Sequence, residues 1–173
     1  LRLFSAFTYA QRKPGKPEVI PASELANYAI QGYVAPLDTT LIKSADNGTV
    51  FVVENGLKRP ITGEIFKNRG LSFKKIVTLS SEEVQGLATG AYATPKDKSF
   101  FKVKETGQLY IYKEGSKHII SPFVAKQRKI TPDYTFGIAE ANEWLEGIAI
   151  PPKDGSIVKG DKDATVYLIQ SGQ

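Results

Sequence analysis

The stretch "TVFVVENGLKRPITGEIFKNR" (residues 49–69) reads as an apolar strand, an Asn-Gly turn, a returning strand and a short helix. Asn-Gly supplies the left-handed pair of a two-residue hairpin loop, so the runs on either side are expected to pair antiparallel. "QLYIYKEGSKHIISPFVAKQR" (108–128) repeats the pattern with Glu-Gly at the turn. A third copy emerges only when the chain ends are joined: "TVYLIQSGQ" (165–173) followed directly by "LRLFSAFTYAQR" (1–12) lies beneath the other two without a gap.

The lead into each copy repeats as well. "PLDTTLIK" (36–43), "PKDKSFFK" (95–102) and "PKDGSIVK" (152–159) share Pro, then Asp, a small polar residue, two apolar residues and Lys. Gly56, Gly115 and Gly172 share one register in the turn. Asp38 to Asp97 spans 59 residues and Asp97 to Asp154 spans 57; the step from His118 through the C-terminus to Arg2 is again 57, and the three together equal the chain length of 173. Internal repetition of this kind decides the fold before any local reading does.

Each module is expected to be a β-hairpin, a short helix, an extended strand and a second short helix. Thr62, Ser121 and Ser5 stand at the N-cap of the first helix, with Pro122 at the favoured first helical position. Ser80 and Glu83 are spaced as a capping box for the second helix, and Gly90, Gly147 and Gly32 are expected to end it. The fold class is therefore α+β with three repeated modules. Residues 37–95 and 96–152 form complete modules, residues 153–173 the first part of a split one and residues 1–36 its second part. At close to 58 residues a module is near the lower limit for a stable core of its own, so neighbours are expected to pack together.

The join admits several readings. The chain is a unit cut from a longer array; or Thr165, Val166, Tyr167, Leu168 and Ile169 of one copy pair with Arg2, Leu3, Phe4 and Ser5 of the next, giving a head-to-tail filament; or the two ends close within one chain into a ring; or a fragment boundary fell inside a hairpin. The absence of Met and the start at Leu1 point to a processed product or a piece of something longer.

Composition narrows the chemistry. With 41% hydrophobic and 24% charged residues the chain is of ordinary folding type, and no apolar run is long enough to span a bilayer as a helix. Without cysteine there are no disulfides, thiolate metal sites or cysteine nucleophiles. A net charge of +5 favours anionic surroundings, although both signs are interspersed. His118, the only histidine, would have to serve any Ser/His/Asp triad, yet Arg59 and Arg2 hold its register in the other copies, which reads as an exposed strand cation.

The recurring Asp38, Asp97 and Asp154 lack the dense oxygen-ligand loop that calcium needs, and a turn or capping role fits them better. "SADNGT" (44–49) and "KGDKDAT" (159–165) carry more acids and amides, but "KETGQ" in the other module does not. Arg69, Arg128 and Arg12, each preceded by an amide side chain, read as helix C-terminal cations before they read as contacts to an anionic polymer. Phe51, Tyr110 and Tyr167 are expected to be packing residues. Asn47 lies in an Asn-Gly-Thr sequon and is a candidate glycosylation acceptor. No catalytic, cofactor-binding or metal residue is assigned, and no cofactor is implied.

The order of an apolar strand, "ENGLKRPIT", a short helix, "IVTLSSEEVQGLATG" and a Pro-rich lead into "LIK" resembles tandem modules of bacterial secreted and cell-surface proteins, found beside S-layer-type regions or cell-wall hydrolase domains. "HIIS" in the second module departs from "RPIT", so that register is not read as a binding motif. The resemblance implies an extracellular, structural or adhesive role. The expectation is a non-enzymatic structural subunit of an extracellular filament, sheath or surface layer, assembling through completion of the split module. The alternative is a non-catalytic cell-wall or polysaccharide-binding module of a larger secreted protein. The partners expected are copies of the chain or adjacent repeats of a longer one, with an anionic cell-wall polymer as a further candidate; nucleic acid and membrane insertion are not expected.

Overall fold

In the computed structural model, which describes residues 1–162 and 164–173, the chain is α+β and divides into two units. The first comprises Leu1–Phe66 and Gly70–Ala93, the second Lys67–Arg69 and Thr94–Gln173.

The first unit is built on four strands: β1 (Leu41–Ser44), β2 (Val50–Glu54), β3 (Leu57–Pro60) and β4 (Ile76–Leu79), in the order β3-β2-β1-β4. β2 and β3 form the hairpin, with Val52 opposite Arg59. Asn55 and Gly56 take φ of 55° and 72°, the left-handed pair that a twisted two-residue loop requires. The sequence reading lacked two features. The "LIK" lead is itself a strand, β1, antiparallel to β2, and β4 lies parallel to β1 with Ile42 opposite Val77.

Four helices belong to this unit. α1 (Ala6–Arg12) and α2 (Ala22–Leu25) come from the N-terminal segment, α3 (Gly63–Asn68) follows β3 and α4 (Ser81–Gln85) follows β4. Ile42, Val53, Leu79, Val84 and Leu87 are buried together, with Phe51, Val77 and Tyr33 packed against them. Burial of each such side chain is worth about 1.5–3 kcal/mol.

The second unit repeats this order. β5 (Ser99–Val103), β6 (Leu109–Lys113), β7 (Ser116–Ile120) and β8 (Tyr134–Phe136) form the sheet β7-β6-β5-β8, with β5 antiparallel to β6 and parallel to β8. α5 (Pro122–Arg128) and α6 (Ile138–Ala141) occupy the places of α3 and α4. Its core is aromatic: Phe101, Phe136 and Trp144 meet with ring centroids 5.1–5.5 Å apart. β9 (Ile157–Lys159) and β10 (Val166–Leu168) then form a separate two-stranded antiparallel ladder.

Ser5, Ser121 and Ser80 each accept a hydrogen bond from the backbone N–H three residues on, at 3.1–3.2 Å. Thr62 accepts from Ile65 N–H at 3.3 Å. The Ser80 box is half formed, because Glu83 Oε1 is buried without a hydrogen-bond partner. The glycine expectation is corrected. α4 and α6 end at Gln85 and Ala141, with Gly86 and Asn142 as C-caps, before Gly90 and Gly147 are reached. Gly90 and Gly147 instead return beside the hairpin, where their N–H groups donate to Lys58 O at 3.0 Å and Lys117 O at 2.9 Å. A Cβ on Gly147 would stand 2.3 Å from the His118 ring, so a side chain there would displace that ring. In the third copy the same bond, at 2.6 Å, runs from Gln31 N–H to Leu1 O, which places Gln31 rather than Gly32 in this register.

Candidate assembly surface

Three sets of residues can be compared through the registers of the two sheets. Ile42 and Phe101, which precede the shared lysine of the lead, correspond to Val158; Val53 and Tyr112 correspond to Ile169. Leu79 and Phe136, immediately before the N-caps Ser80 and Gly137, correspond to Ile20 before Pro21. Counting on from those caps, Val84 and Ala141 correspond to Leu25, and Leu87 and Trp144 to Tyr28.

In the two complete sheets all ten of these positions are buried. In the third set Ile20 is 41% exposed, Leu25 49% and Tyr28 51%, while Val158 and Ile169 are half-buried. Tyr167, expected as a packing residue, is 52% exposed, whereas its counterpart Tyr110 stacks on Phe101 at 5.4 Å between centroids. Burial, and then Glu146, push the Tyr110 phenol above its ordinary value.

Among the expected interface residues, Leu3, Phe4, Val166 and Leu168 are exposed apolar side chains, and Thr165 and Arg2 are also exposed. Ser5 caps α1. Leu3 bridges Tyr33 in parallel, as Lys58 bridges Thr89 and Lys117 bridges Glu146, but β3 and β7 each also pair with the strand of their own hairpin. β10 has one ladder partner among the described residues, β9.

In the first unit an open apolar cleft of about 520 Å³ lies between residues 1–4 and α2, lined by Leu1, Leu3, Leu25, Tyr28 and Ile30 among others. The corresponding space is occupied by Ile42 and Val53 in one complete sheet and by Phe101 and Tyr112 in the other. In the second unit the hairpin that would supply such residues is already shaped. Ser171 and Gly172 take φ of 54° and 76°, matching Glu114 and Gly115 at 52° and 78°. Gln170 and Gln173 exchange both backbone hydrogen bonds, at 3.0 and 3.1 Å, which places Gln173 as the first residue of a returning strand.

The recurrent aspartates brace these turns. Asp38 Oδ1 accepts from Gly56 N–H (3.2 Å), Asp97 Oδ1 from Glu114 N–H (2.9 Å) and Asp154 Oδ1 from Gly172 N–H (2.9 Å). No cluster of three or more His, Cys, Asp or Glu among the described residues could hold a metal; Asp163 of "KGDKDAT" lies outside them.

A device that sequence reasoning missed stands at the end of the first helix of each copy. The amides of Gln11, Asn68 and Gln127 each accept from a backbone N–H in the lead that follows (Leu37, Lys96 and Lys153, all 2.7 Å) and donate to a hydroxyl there (Thr40, Ser99 and Ser156). Arg12, Arg69 and Arg128 donate to carbonyls of Ala35, Thr94 and Pro151 at 2.7–3.0 Å, which fixes the same lead rather than only facing the helix dipole. The signal was present as an amide-Arg pair at one register.

The conserved geometry extends to buried cations. Lys58 and Lys117 lie beneath the hairpin, their ammonium groups donating to the carbonyls of Val84 and Ala141 and standing 5.5 Å from the rings of Phe51 and Tyr110. Burial lowers the Lys58 pKa. Leu1 holds this register in the third set. His118 bonds through Nδ1 to Ile148 O (2.7 Å) and through Nε2 with Ser116 Oγ (2.9 Å), so the ring braces a loop as Arg59 does through Ala91 O. A carbonyl only accepts, so Nδ1 carries a proton.

No protein-family model and no curated protein sequence matches the chain. Among solved structures it is similar to the periplasmic assembly of the ESX-5 inner membrane complex, at 12% identity and a TM-score of 0.24 over 73% of this chain. The chain spans 44% of that chain's length. No helix among the described residues is long and apolar enough to cross a membrane.

Proposed function

We propose that the chain is a non-enzymatic structural subunit of an extracellular or cell-surface assembly, built head-to-tail by completing a third module between copies. The ladder of β9 and β10 supplies the two central strands and residues 1–4 of the next copy supply the returning strand. The observation that supports this reading most directly is the difference at matched core positions: Ile20, Leu25 and Tyr28 are 41–51% exposed where both complete sheets bury their counterparts. Strand addition satisfies the open backbone edge, and alternate side chains supply specificity. By the register of β2 on β3 and β6 on β7, Tyr167 faces Leu3 and Leu168 faces Arg2 of the neighbour. One contact joins a C-terminal surface to an N-terminal one, so it is heterologous and propagates as a filament unless its rotation closes.

The extracellular placement rests on the resemblance of the modules to bacterial surface repeats. Asn47 is exposed in the loop between β1 and β2, its Oδ1 accepting from Thr49 N–H at 2.7 Å, and is where a glycan would be carried. The net charge of +5 suits an anionic wall polymer as a secondary partner.

The test is oligomer size against concentration, by light scattering and negative-stain microscopy, for the wild type and Leu168→Pro. Ile169 N–H donates to Ser156 O across the β9 ladder, so the alternation of a strand turns Leu168 N–H to the open edge. Proline there removes the outward donor and spares the inner ladder. Linear oligomers that grow with concentration and shorten in the variant are expected. A wild type that stays monomeric at high concentration, or sediments with isolated peptidoglycan only as a monomer, would overturn the reading.

A further inference from the structure

Both complete sheets have a fourth strand on the side away from the hairpin. β4 lies parallel to β1 with Lys43 opposite Thr78 and Ser44 opposite Leu79; β8 lies parallel to β5 with Lys102 opposite Thr135 and Val103 opposite Phe136. In each the strand runs directly into the N-cap of the following helix, Ser80 or Gly137. Residues 18–20 run in the same way into Pro21, the N-cap of α2, but form no regular structure, and Val19 is 98% exposed. β9, the counterpart of β1 and β5, has β10 as its only ladder partner among the described residues.

We infer that residues 18–20 of one copy add to β9 of the neighbouring copy as a parallel edge strand, so that the assembly joint is a clasp of two donated strands around an accepted hairpin. This rests on the head-to-tail reading and specifies its second half. The register follows from the shared lysine: Lys159 faces Val19, as Lys43 faces Thr78 and Lys102 faces Thr135. Val19 then points outward, as Thr78 and Thr135 do, and Ile20 turns inward onto Val158 and Leu25 in the place of Leu79 and Phe136. Glu18 departs from the apolar Val77 and Tyr134 of the other copies, where the side chains are only half-buried. Donated strands on both sides of the hairpin make release depend on opening two ladders rather than one.

The chain contains no cysteine, so single-cysteine variants report contacts between copies without background. Val19→Cys protein mixed with Lys159→Cys protein tests the parallel strand; Arg2→Cys mixed with Leu168→Cys tests the antiparallel one. Under mild oxidation both mixtures should give a covalent heterodimer, and neither should when the partner copy lacks its cysteine. Ile20→Asp should also weaken assembly by about tenfold or more, the scale set by burying one large aliphatic side chain. Cross-linking through Arg2 and Leu168 alone, with assembly unaffected by Ile20→Asp, overturns the clasp and leaves the head-to-tail contact standing. No heterodimer from either mixture overturns both.

Discussion

Tyr110 and Tyr167 are the same residue at the same register of the same pattern, one in the second unit's four-stranded sheet and one in the two-stranded ladder after it. Tyr110 lies against Phe101 on a strand with a neighbour on each side; Tyr167 is 52% exposed and, among the described residues, its strand has one neighbour. The sequence pattern thus encodes which side chains are to be covered and at what register, but not which segment covers them. Turn chemistry is local and forms in both places: the Glu114-Gly115 and Ser171-Gly172 turns have nearly the same dihedrals. Core burial depends on strands distant in sequence and forms only where these are supplied.

The comparison should break most visibly at Phe101. It is fully buried against Phe136 and Trp144, and Phe101→Ala should cost about 3–5 kcal/mol in denaturant unfolding of the second unit. Its counterpart Val158, only half-buried, should lose far less in dilute, unassembled protein, about 1 kcal/mol or less for Val158→Ala. Equal losses at the two sites would mean that the third set already has a core.

The tyrosine pair sharpens this with side-chain identity held constant. Tyr110→Ala should destabilise by roughly 2–3 kcal/mol, below the full cost of a large aromatic because its ring is half-buried. Tyr167→Ala should leave dilute unfolding unchanged and reduce assembly. Titration adds an independent readout. The folded Tyr110 phenol has a raised pKa, so its contribution is complete below the ordinary value of 10.0 and is lost as pH rises through the folded value. Tyr110→Phe should flatten the alkaline fall in stability. Lys58 acts in the opposite sense: its pKa is lowered by burial, so its own contribution grows as pH rises towards the ordinary 10.5.

Next in size is the amide clamp. Asn68 is buried and holds both Lys96 N–H and Ser99 Oγ; Asn68→Ala should cost about 1–3 kcal/mol, the price of leaving those groups unpaired. Gln11 makes the same two bonds in a more exposed setting, where water replaces the lost partner, so Gln11→Ala should cost less than Asn68→Ala in the same thermal unfolding assay.

What could be read in advance divides along the same line. The hairpins were legible because Asn-Gly and Glu-Gly state their dihedral requirement directly, and the caps because Ser5, Ser80 and Ser121 stand immediately before helical runs. β1 was not read as a strand, since "LIK" is too short to show an alternation and its partners lie on both sides. The parallel strand β4 was seen as extended but without a partner, because parallel pairing leaves no turn signature in the sequence. Lys58 and Lys117 carry no sequence signal of burial, because it depends on carbonyls at the C-terminal ends of α4 and α6, which no local pattern announces. Of the expected interface, Leu3, Phe4, Val166, Tyr167 and Leu168 were legible as a register, while Ile20, Leu25 and Tyr28 required the three-dimensional cores of the complete sheets.

The smallest expected effect concerns the helix caps, and it sets the boundary of the comparison. Ser121 Oγ accepts from Val124 N–H at 3.2 Å in a complete sheet, and Ser5 Oγ accepts from Thr8 N–H at 3.1 Å beside the open one. Both helices run seven residues and close on a left-handed lysine, Lys129 or Lys13. A cap satisfies an N–H within its own helical turn, so its contribution should not depend on whether the neighbouring hairpin is in place. Ser121→Ala and Ser5→Ala should each cost about 1 kcal/mol, with the two values agreeing within about 0.5 kcal/mol in dilute protein. Protection of the Thr8 and Val124 amides from hydrogen exchange gives the local readout. If Ser5→Ala were silent in dilute protein but costly once assembled, α1 would be ordered by the incoming hairpin, and the open set would lack local as well as tertiary structure.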